Sequence, residues 1–435
     1  MYRITSFFVL LLSVATLTFG CVAKETTTAS IEIVDPDQLD EVLDRYVTEG
    51  YYPFVYARLE DRDGKLLYEH STVNEKLLPN TTIDGDTWIR IWSMSKIVTI
   101  SVVLDLVEDG ILNLEDAVAE YIPEFANLPV AVSATGESLL EYEWGQRPTA
   151  CPIQLVTNDS VMTIRHLIDH EAGFYYATSN FPCLDSLLAE QNIATAANSE
   201  ELIERLAKLP LVQHSGTDYF YGTNTTILGL VAERATGKSL KELVTERVTE
   251  PLQIAGLQYG LPSEEKLLPR FTGRDSILRE AQRGELDIFG PDVPEYAPEK
   301  QLFLGGEGMV ATTDGYADFI RMLLRRGELN GHRFLDEATV ADIHAPHTQL
   351  DNPYGHNGYN LWVSGDSMRL NQQGDTGLWI GGGYECTHFW VDPKRNFVGL
   401  IMSQNNAVRP PGYDLNDKFR GALYEQIFAA EEASE

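Results

Sequence analysis

The chain has 435 residues, 43% of them hydrophobic and 10% aromatic, which is enough apolar material to close a large core in one big domain or two lobes. Its 65 acidic and 33 basic residues leave a formal charge of −32, which repels polyphosphate and argues against nucleic acid and anionic membrane surfaces as partners. That charge serves solubility first, and no repeat, low-complexity tract or interdomain linker breaks the sequence.

The first twenty residues, MYRITSFFVLLLSVATLTFG, join the early Arg3 to an apolar run too short for a membrane span, the pattern of a bacterial export signal over about residues 1–23. Two cleavage readings stay open. The Cys21-Val22-Ala23 stretch offers a small residue to ordinary signal peptidase, whereas Gly20-Cys21 resembles a lipoprotein processing site, with Leu17 one position further from Cys21 than that pattern has it. The expected location is the periplasm or the exterior, with membrane attachment only through a lipid anchor at Cys21. Cys151 and Cys183 bracket one segment and form the candidate disulfide of an exported chain, with Cys386 left over in a strand; the alternative is two buried free thiols.

Apolar runs on either side of Asp63-Gly64 predict a hairpin over about residues 54–70, and a third short strand should end near Ile91. From Ser93 the run IVTISVVLDLVEDG is apolar almost all round and stops at Gly110, so it predicts a buried helix. Between residues 111 and 300 helical patterns and long loops dominate, among them VMTIRHLIDH, SEELIERLAKL, TTILGLVAERATG and SLKELVTERVTEPL. A segment within residues 128–160, VSATGESLLEYEWGQRPTACP, either shapes a cleft or decorates it. Strand character returns in GGGYECTHFWVDPKRNFVGLIMSQ, where two strands meet at Asp392-Pro393-Lys394-Arg395-Asn396, and LNDKFRGALYEQIFAA closes the chain as a helix. The expected class is α+β within one domain over residues 24–435. An antiparallel sheet flanked by helices takes about residues 33–110 and 300–435, and a mainly helical insertion takes about 111–299.

Three places along this order could carry chemistry. Ser-x-x-Lys occurs twice, at Ser93/Lys96 and Ser263/Lys266, and roughly one or two such pairs are expected by chance in a chain this long. The second follows Pro262 in a charged stretch and reads as a surface turn. The first opens a buried helix, where the macrodipole favours a nucleophile and Lys96 lies one turn on. Desolvation there would favour a neutral amine able to accept the serine proton; the plain alternative is a capping serine followed by a lysine that snorkels outward. Next, a tyrosine in the loop before TTILGLVAERATG could share the proton traffic, Tyr221 first and Tyr219 as the local alternative, unless either is only a packed aromatic. Last, Gly381, Gly382 and Gly383 open a strand. There a ligand could approach the backbone, and the amide of Tyr384 could pair with that of Ser93 around an oxyanion; otherwise the glycines mark a bulge or tight turn.

Taken in order, IRIWSMSKIVT, DGILNLEDAVAEYIPEF, MTIRHLIDHEAG, YFYGTNTTILGLVAERATG, LGGEGMVATTDGYADFIRMLLRRGELNG and GGGYECTHFWVDP resemble the serine β-lactamase and penicillin-binding-protein family over about residues 40–430, nearest to esterases related to class C β-lactamases. The resemblance implies a β-lactamase/transpeptidase-like fold, Ser93 as nucleophile, Lys96 as its base partner, Tyr221 as the tyrosine of the second motif, and residues 381–383 as the wall of the third. Two departures choose the branch. The family's Tyr-x-Asn has Thr223 at its third position here, with Asn224 one residue late, and Gly381-Gly382-Gly383 stands where lactamases carry Lys-Thr-Gly. With the anion clamp gone, the expectation is an esterase for small uncharged esters, with Arg90 as a nearby cation able to stand in for the lysine. A β-lactamase or D-amino-acid peptidase on the same machinery is the first alternative, and a non-catalytic recognition protein the second. The substrate is thus a small-molecule ester or amide, and the oligomeric state stays open. No cofactor is expected, and no metal: His166 and His170, spaced i,i+4 on a helical pattern, belong to a segment the family uses structurally, and His344-x-x-His347 contains Pro346 and reads as loop.

Overall fold

The computed structural model describes residues 31–141, 153–273, 277–406 and 414–434. The export signal, Cys21, Cys151 and residues 142–152 of the 132–152 segment lie outside them. Among the described residues no helix is long and apolar enough to cross a membrane. Cys183 is disulfide-bonded. Cys386 is a free thiol, and it sits at φ 60° in a turn rather than in the expected strand.

The elements that position the site are helices α1 (Pro36–Thr48), α2 (Ser95–Glu108), α3 (Ile164–Ile168), α4 (Asn224–Thr236), α5 (Thr313–Leu324) and α6 (Leu415–Ser434). The strands are β1 (Phe54–Asp61), β2 (Leu66–Val73), β3 (Ile89–Arg90), β4 (Leu257–Tyr259), β5 (Met309–Ala311), β6 (Thr348–Gln349), β7 (Gly355–Asn357), β8 (Trp362–Ser364), β9 (Trp379–Gly383), β10 (Thr387–Asp392) and β11 (Phe397–Met402). The main sheet has eight strands in the order β6-β7-β8-β9-β10-β11-β1-β2, antiparallel throughout. The expected hairpin is β1-β2, turning at Asp63-Gly64 with Gly64 at φ 86°. A second sheet, β3-β5-β4, carries the chain into Ser93.

The apolar runs without alternation are explained by burial on both faces of the main sheet. Phe54, Tyr56, Phe389, Val391, Val398 and Leu400 pack in the larger core with α2, α4 and α5. Their neighbours Val55, Ala57, Trp390, Phe397 and Ile401 pack against α1 and α6. Close fit fixes one sequence choice here: a Cβ on Gly399 would stand 2.2 Å from the indole of Trp390 across the ladder.

Three patterns resolve differently from the sequence reading. SLKELVTERVTEPL is not one regular helix: Leu240–Val244 is α-helical, Thr245–Thr249 makes a π turn, and a last turn ends at Leu252. Pro251 supplies the reason, since it has no amide to give and its ring crowds the preceding turn. VMTIRHLIDH is helical only over Ile164–Ile168, because His170 takes φ 58° and leaves the helical path. Between α2 and α3, strands Pro129–Val132 and Gln154–Thr157 pair in a region the sequence reads as helix and loop.

Candidate active site

The entry to α2 is what presents the nucleophile. Trp92 takes φ 47°, a left-handed conformation that costs a bulky residue energy, and Trp92–Met94 then form one 3-10 turn before α2 begins at Ser95. The indole is buried and its Nε1 donates to Glu385 Oε2 at 2.5 Å, its ring lies 5.1 Å from that of Tyr384, and the Arg270 guanidinium sits over it at 5.9 Å. These contacts hold the strained residue in place, and Ser93 follows it.

Ser93, Lys96 and Tyr221, far apart in the chain, converge. The Tyr221 hydroxyl donates to Ser93 Oγ at 2.8 Å, and Lys96 Nζ donates to the same oxygen at 3.2 Å. Lys96 is wholly buried, whereas Tyr221 is 40% exposed, so one side of the serine faces a dry interior and the other faces solvent. The Lys96 ammonium also lies 5.1 Å from the centre of the Tyr221 ring. Of the two tyrosines in the loop, Tyr219 instead lies against His170, at 5.8 Å between ring centres. The imidazole of His170 stacks on Tyr221 at 4.8 Å and 25°, which orients the phenol. Burial lowers the His170 pKa to about 3, so this ring is neutral at working pH.

The expectation of a neutral Lys96 does not hold. Burial does press its pKa down, but Glu307, equally buried, stands 3.1 Å away and the net shift is upward. Lys96 is therefore an ammonium at rest. It also donates to Tyr176 Oη at 2.8 Å and to the Gly306 carbonyl at 3.0 Å. The carboxylate is held from both sides: Tyr176 makes a short hydrogen bond to Oε1, Thr226 donates to Oε2 at 2.7 Å, and Tyr296 donates to the Glu307 carbonyl at 3.1 Å. Sequence reasoning missed Tyr176, Thr226 and Glu307. The one signal on offer was an acid between glycines inside an otherwise apolar run, LFLGGEGMVA.

The shifted second motif now has a structural account. Asn224 opens α4 and turns inward, its Nδ2 3.1 Å from His170 Nδ1, so it ties the Tyr221 loop to the end of α3 rather than meeting Lys96. His166 sits in the capping box of Thr163, accepting from its amide at 3.3 Å. With His170 outside α3, the two imidazoles do not share the helical face that the spacing suggested. His344 and His347 lie beyond the helix Glu337–Ile343, stacked on Trp379 and Tyr359.

Residues 381–383 end strand β9 rather than open one, and Tyr384 lies in the turn to β10. Each glycine is required by the protein's own packing. A Cβ on Gly381 would stand 2.5 Å from the Phe389 ring, one on Gly382 would stand 2.7 Å from the Thr387 carbonyl, and one on Gly383 would stand 2.4 Å from the Ile91 carbonyl. The last contact matters most here, because it seats the end of β9 against the residue that leads into Trp92 and Ser93. The Tyr384 hydroxyl donates to Asp287 Oδ1 at 3.1 Å, anchoring the turn from the opposite side.

A cleft of about 200 Å³ opens beside Tyr221 and Gly382, walled by Asp169, His170, His347 and Asn357, and among the described residues no lysine or arginine lines it. Burial raises the Asp169 pKa to about 6. Arg90 does not replace the missing lysine: its guanidinium donates to the Leu268 carbonyl at 2.9 Å and to Gln404 Oε1 at 3.1 Å, and it lines a separate cavity of about 720 Å³. Burial and the nearby Arg270 lower its pKa to about 10.

Comparison with known proteins bears on the family and the fold. The profile of the family described as Beta-lactamase matches residues 61–420. Lovastatin esterase of Penicillium rubens is 27% identical over 406 residues, covering 85% of this chain and 93% of that protein. ML-236A carboxylate methylbutanoyltransferase of Penicillium citrinum is 24% identical over 367 residues, covering 79% and 82%. Among solved structures, EstCE1, described as a hydrolase with promiscuous acyltransferase activity, superposes with a TM-score of 0.70 at 19% identity, covering 89% of this chain and 98% of that one, a likeness of fold.

Proposed function

The chain belongs to the β-lactamase family, and from that premise we propose that it is a serine hydrolase acting through a Ser93 acyl-enzyme on small uncharged carboxylic esters. The observation that carries this reading is the meeting of Ser93 Oγ with Tyr221 Oη and Lys96 Nζ beside a cleft that no lysine or arginine among the described residues lines. Ser93 attacks the ester carbonyl while its proton passes into the Lys96–Tyr221 pair. The amides of Ser93 and Tyr384 are the proposed donors to the oxyanion, a role supported by the seating of Gly383 on Ile91, which brings the β9 turn next to the nucleophile. Tyr221, which faces solvent, returns the proton to the departing alcohol, and a water then repeats the sequence to free the acid.

The same acyl-enzyme can be taken by an alcohol instead of water: kinship with a methylbutanoyltransferase supports that second outcome, as kinship with lovastatin esterase supports hydrolysis. Secretion, read from residues 1–23, belongs to the same proposal. The test is mass spectrometry and turnover with p-nitrophenyl butyrate and, separately, a cephalosporin, each with and without a competing alcohol. Ester turnover with a butyryl adduct on Ser93 and an inert cephalosporin is expected, and the yield of new ester gives the share of transfer. Rapid cephalosporin turnover would restore the β-lactamase reading, and absence of any adduct would favour a recognition protein.

A further inference from the structure

We propose that Glu307 is the proton store of the nucleophile: its carboxylate accepts a proton from Lys96, and the amine so formed accepts the proton of Ser93. This rests on the acyl-enzyme reading above and deepens it. Glu307 touches no substrate atom; it is a positioning residue that acts through Lys96.

The geometry supports each transfer. A hydrogen bond of 3.1 Å joins Lys96 Nζ to Glu307 Oε1, and one of 3.2 Å joins the same nitrogen to Ser93 Oγ. Among the described residues Lys96 is the ion-pair partner of Glu307, and neither side chain has any exposed surface. A charged pair and a neutral pair differ here by one proton moved along one hydrogen bond. Desolvation disfavours both charges of the first, which brings the neutral pair within reach in a way that solvent would not allow. Thr226 and Tyr176 hold the carboxylate in place, so the transfer needs no rotation of its acceptor. A neutral side chain at this position would leave the buried Lys96 ammonium without its counter-charge.

The step balances without any outside reagent. At rest the site holds an ammonium, a carboxylate and a serine hydroxyl. As the ester arrives, an Nζ–H bond breaks and Glu307 Oε1 gains that proton. The Oγ–H bond of Ser93 breaks and Nζ gains the second proton, Oγ bonds to the carbonyl carbon, and the carbonyl electron pair moves onto oxygen. The site then holds an ammonium, a carboxylic acid and the oxyanion, with the same total charge. On collapse the carbon–alkoxide bond breaks, the alkoxide takes a proton relayed from Lys96 through Tyr221, and Glu307 returns its proton to Lys96.

The titratable groups facing this pair leave it isolated. Tyr176 and Tyr221 lie against Lys96, with His170 and Tyr219 beyond Tyr221, and Tyr259 and Tyr296 stand on the Glu307 side. Burial keeps His170 neutral and raises Tyr176, Tyr219, Tyr259 and Tyr296, so these five supply no charge near neutral pH.

The experiment compares the full chain with Glu307→Gln and Glu307→Asp. It reads kcat and KM for p-nitrophenyl butyrate and the rate of Ser93 labelling by a fluorophosphonate, from pH 5 to pH 10. Glu307→Gln keeps shape and hydrogen bonding but strips Lys96 of its counter-charge, so Lys96 must shed its proton to solvent before it can act. The expected result is unchanged KM with kcat and labelling lowered about 100-fold or more at the acid end, recovering toward alkaline pH, a limb absent from the parent. Glu307→Asp keeps the carboxylate and the parent's pH shape. Loss in Glu307→Gln at every pH that Glu307→Asp restores supports the store equally. A Glu307→Gln profile that coincides with the parent's, or equal loss in both variants, overturns it. A parent that neither hydrolyses the ester nor takes the label would remove the acyl-enzyme reading instead.

Discussion

Replacing Gly383 by Ala tests whether the end of β9 sets the geometry at Ser93. The new Cβ would lie 2.4 Å from the Ile91 carbonyl oxygen and 2.4 Å from Thr387 Oγ1. The hydroxyl can rotate away, but the carbonyl belongs to backbone that Trp92 and Ser93 extend. Ordinary contact begins near 3.4 Å, so β9 and the Ser93 turn must separate by about 1 Å, and a displacement of that size at a reacting centre costs about 100-fold in rate. Overpacking of this kind costs about 1 to 3 kcal/mol. With an unfolding entropy of about 2.1 cal/mol/K per residue over 435 residues, the melting temperature falls by only about 1 to 3 °C. The assay pairs calorimetry with kcat/KM for p-nitrophenyl butyrate. Gly381→Ala is the control, since its Cβ meets the Phe389 ring, not the Ser93 turn. A folded Gly383→Ala variant with parental kcat/KM would refute the placement of the β9 turn in the catalytic geometry.

Ser93→Ala should fold normally and lose ester turnover by at least about 1,000-fold, with no adduct in the mass spectrum; residual turnover within tenfold of the parent would assign the nucleophile elsewhere. Tyr221→Phe removes the hydroxyl while leaving the ring on His170, so kcat should fall about 100- to 10,000-fold with little change in melting temperature. Trp92→Phe leaves the buried Glu385 carboxylate without its indole donor and should destabilise by about 1 to 3 kcal/mol, read by urea unfolding. His170 has a folded pKa of about 3 against an ordinary 6.5, so the unfolded chain binds its proton first. Its contribution is therefore complete above about pH 6.5 and is lost as pH falls toward 3, on the order of 5 kcal/mol in full. Melting temperatures across that range should fall more steeply for the parent than for His170→Gln, and equal slopes would argue against it.

The sequence by itself determined the local pieces: a hairpin at Asp63-Gly64, a helix apolar on all sides after Ser93, a lysine one turn along it, strands that turn at Asp392–Asn396, and a closing helix. These depend on propensities and spacings over a few residues, which the chain carries wherever it folds. Order along the chain also made the six segments readable as one family's pattern, and their departures as the loss of an anion clamp. Only the tertiary structure decided what surrounds the serine. Tyr176 and Glu307 stand 80 and 211 residues from Lys96 in sequence, and no periodicity links them. The charge on Lys96 accordingly reversed from the expected neutral amine, because burial alone argues one way and a buried carboxylate at 3.1 Å argues the other. The glycines of residues 381–383 changed meaning for the same reason: their need is set by Phe389, Thr387 and the Ile91 carbonyl, neighbours that exist only once β9 is seated in the sheet and against the turn that carries Ser93.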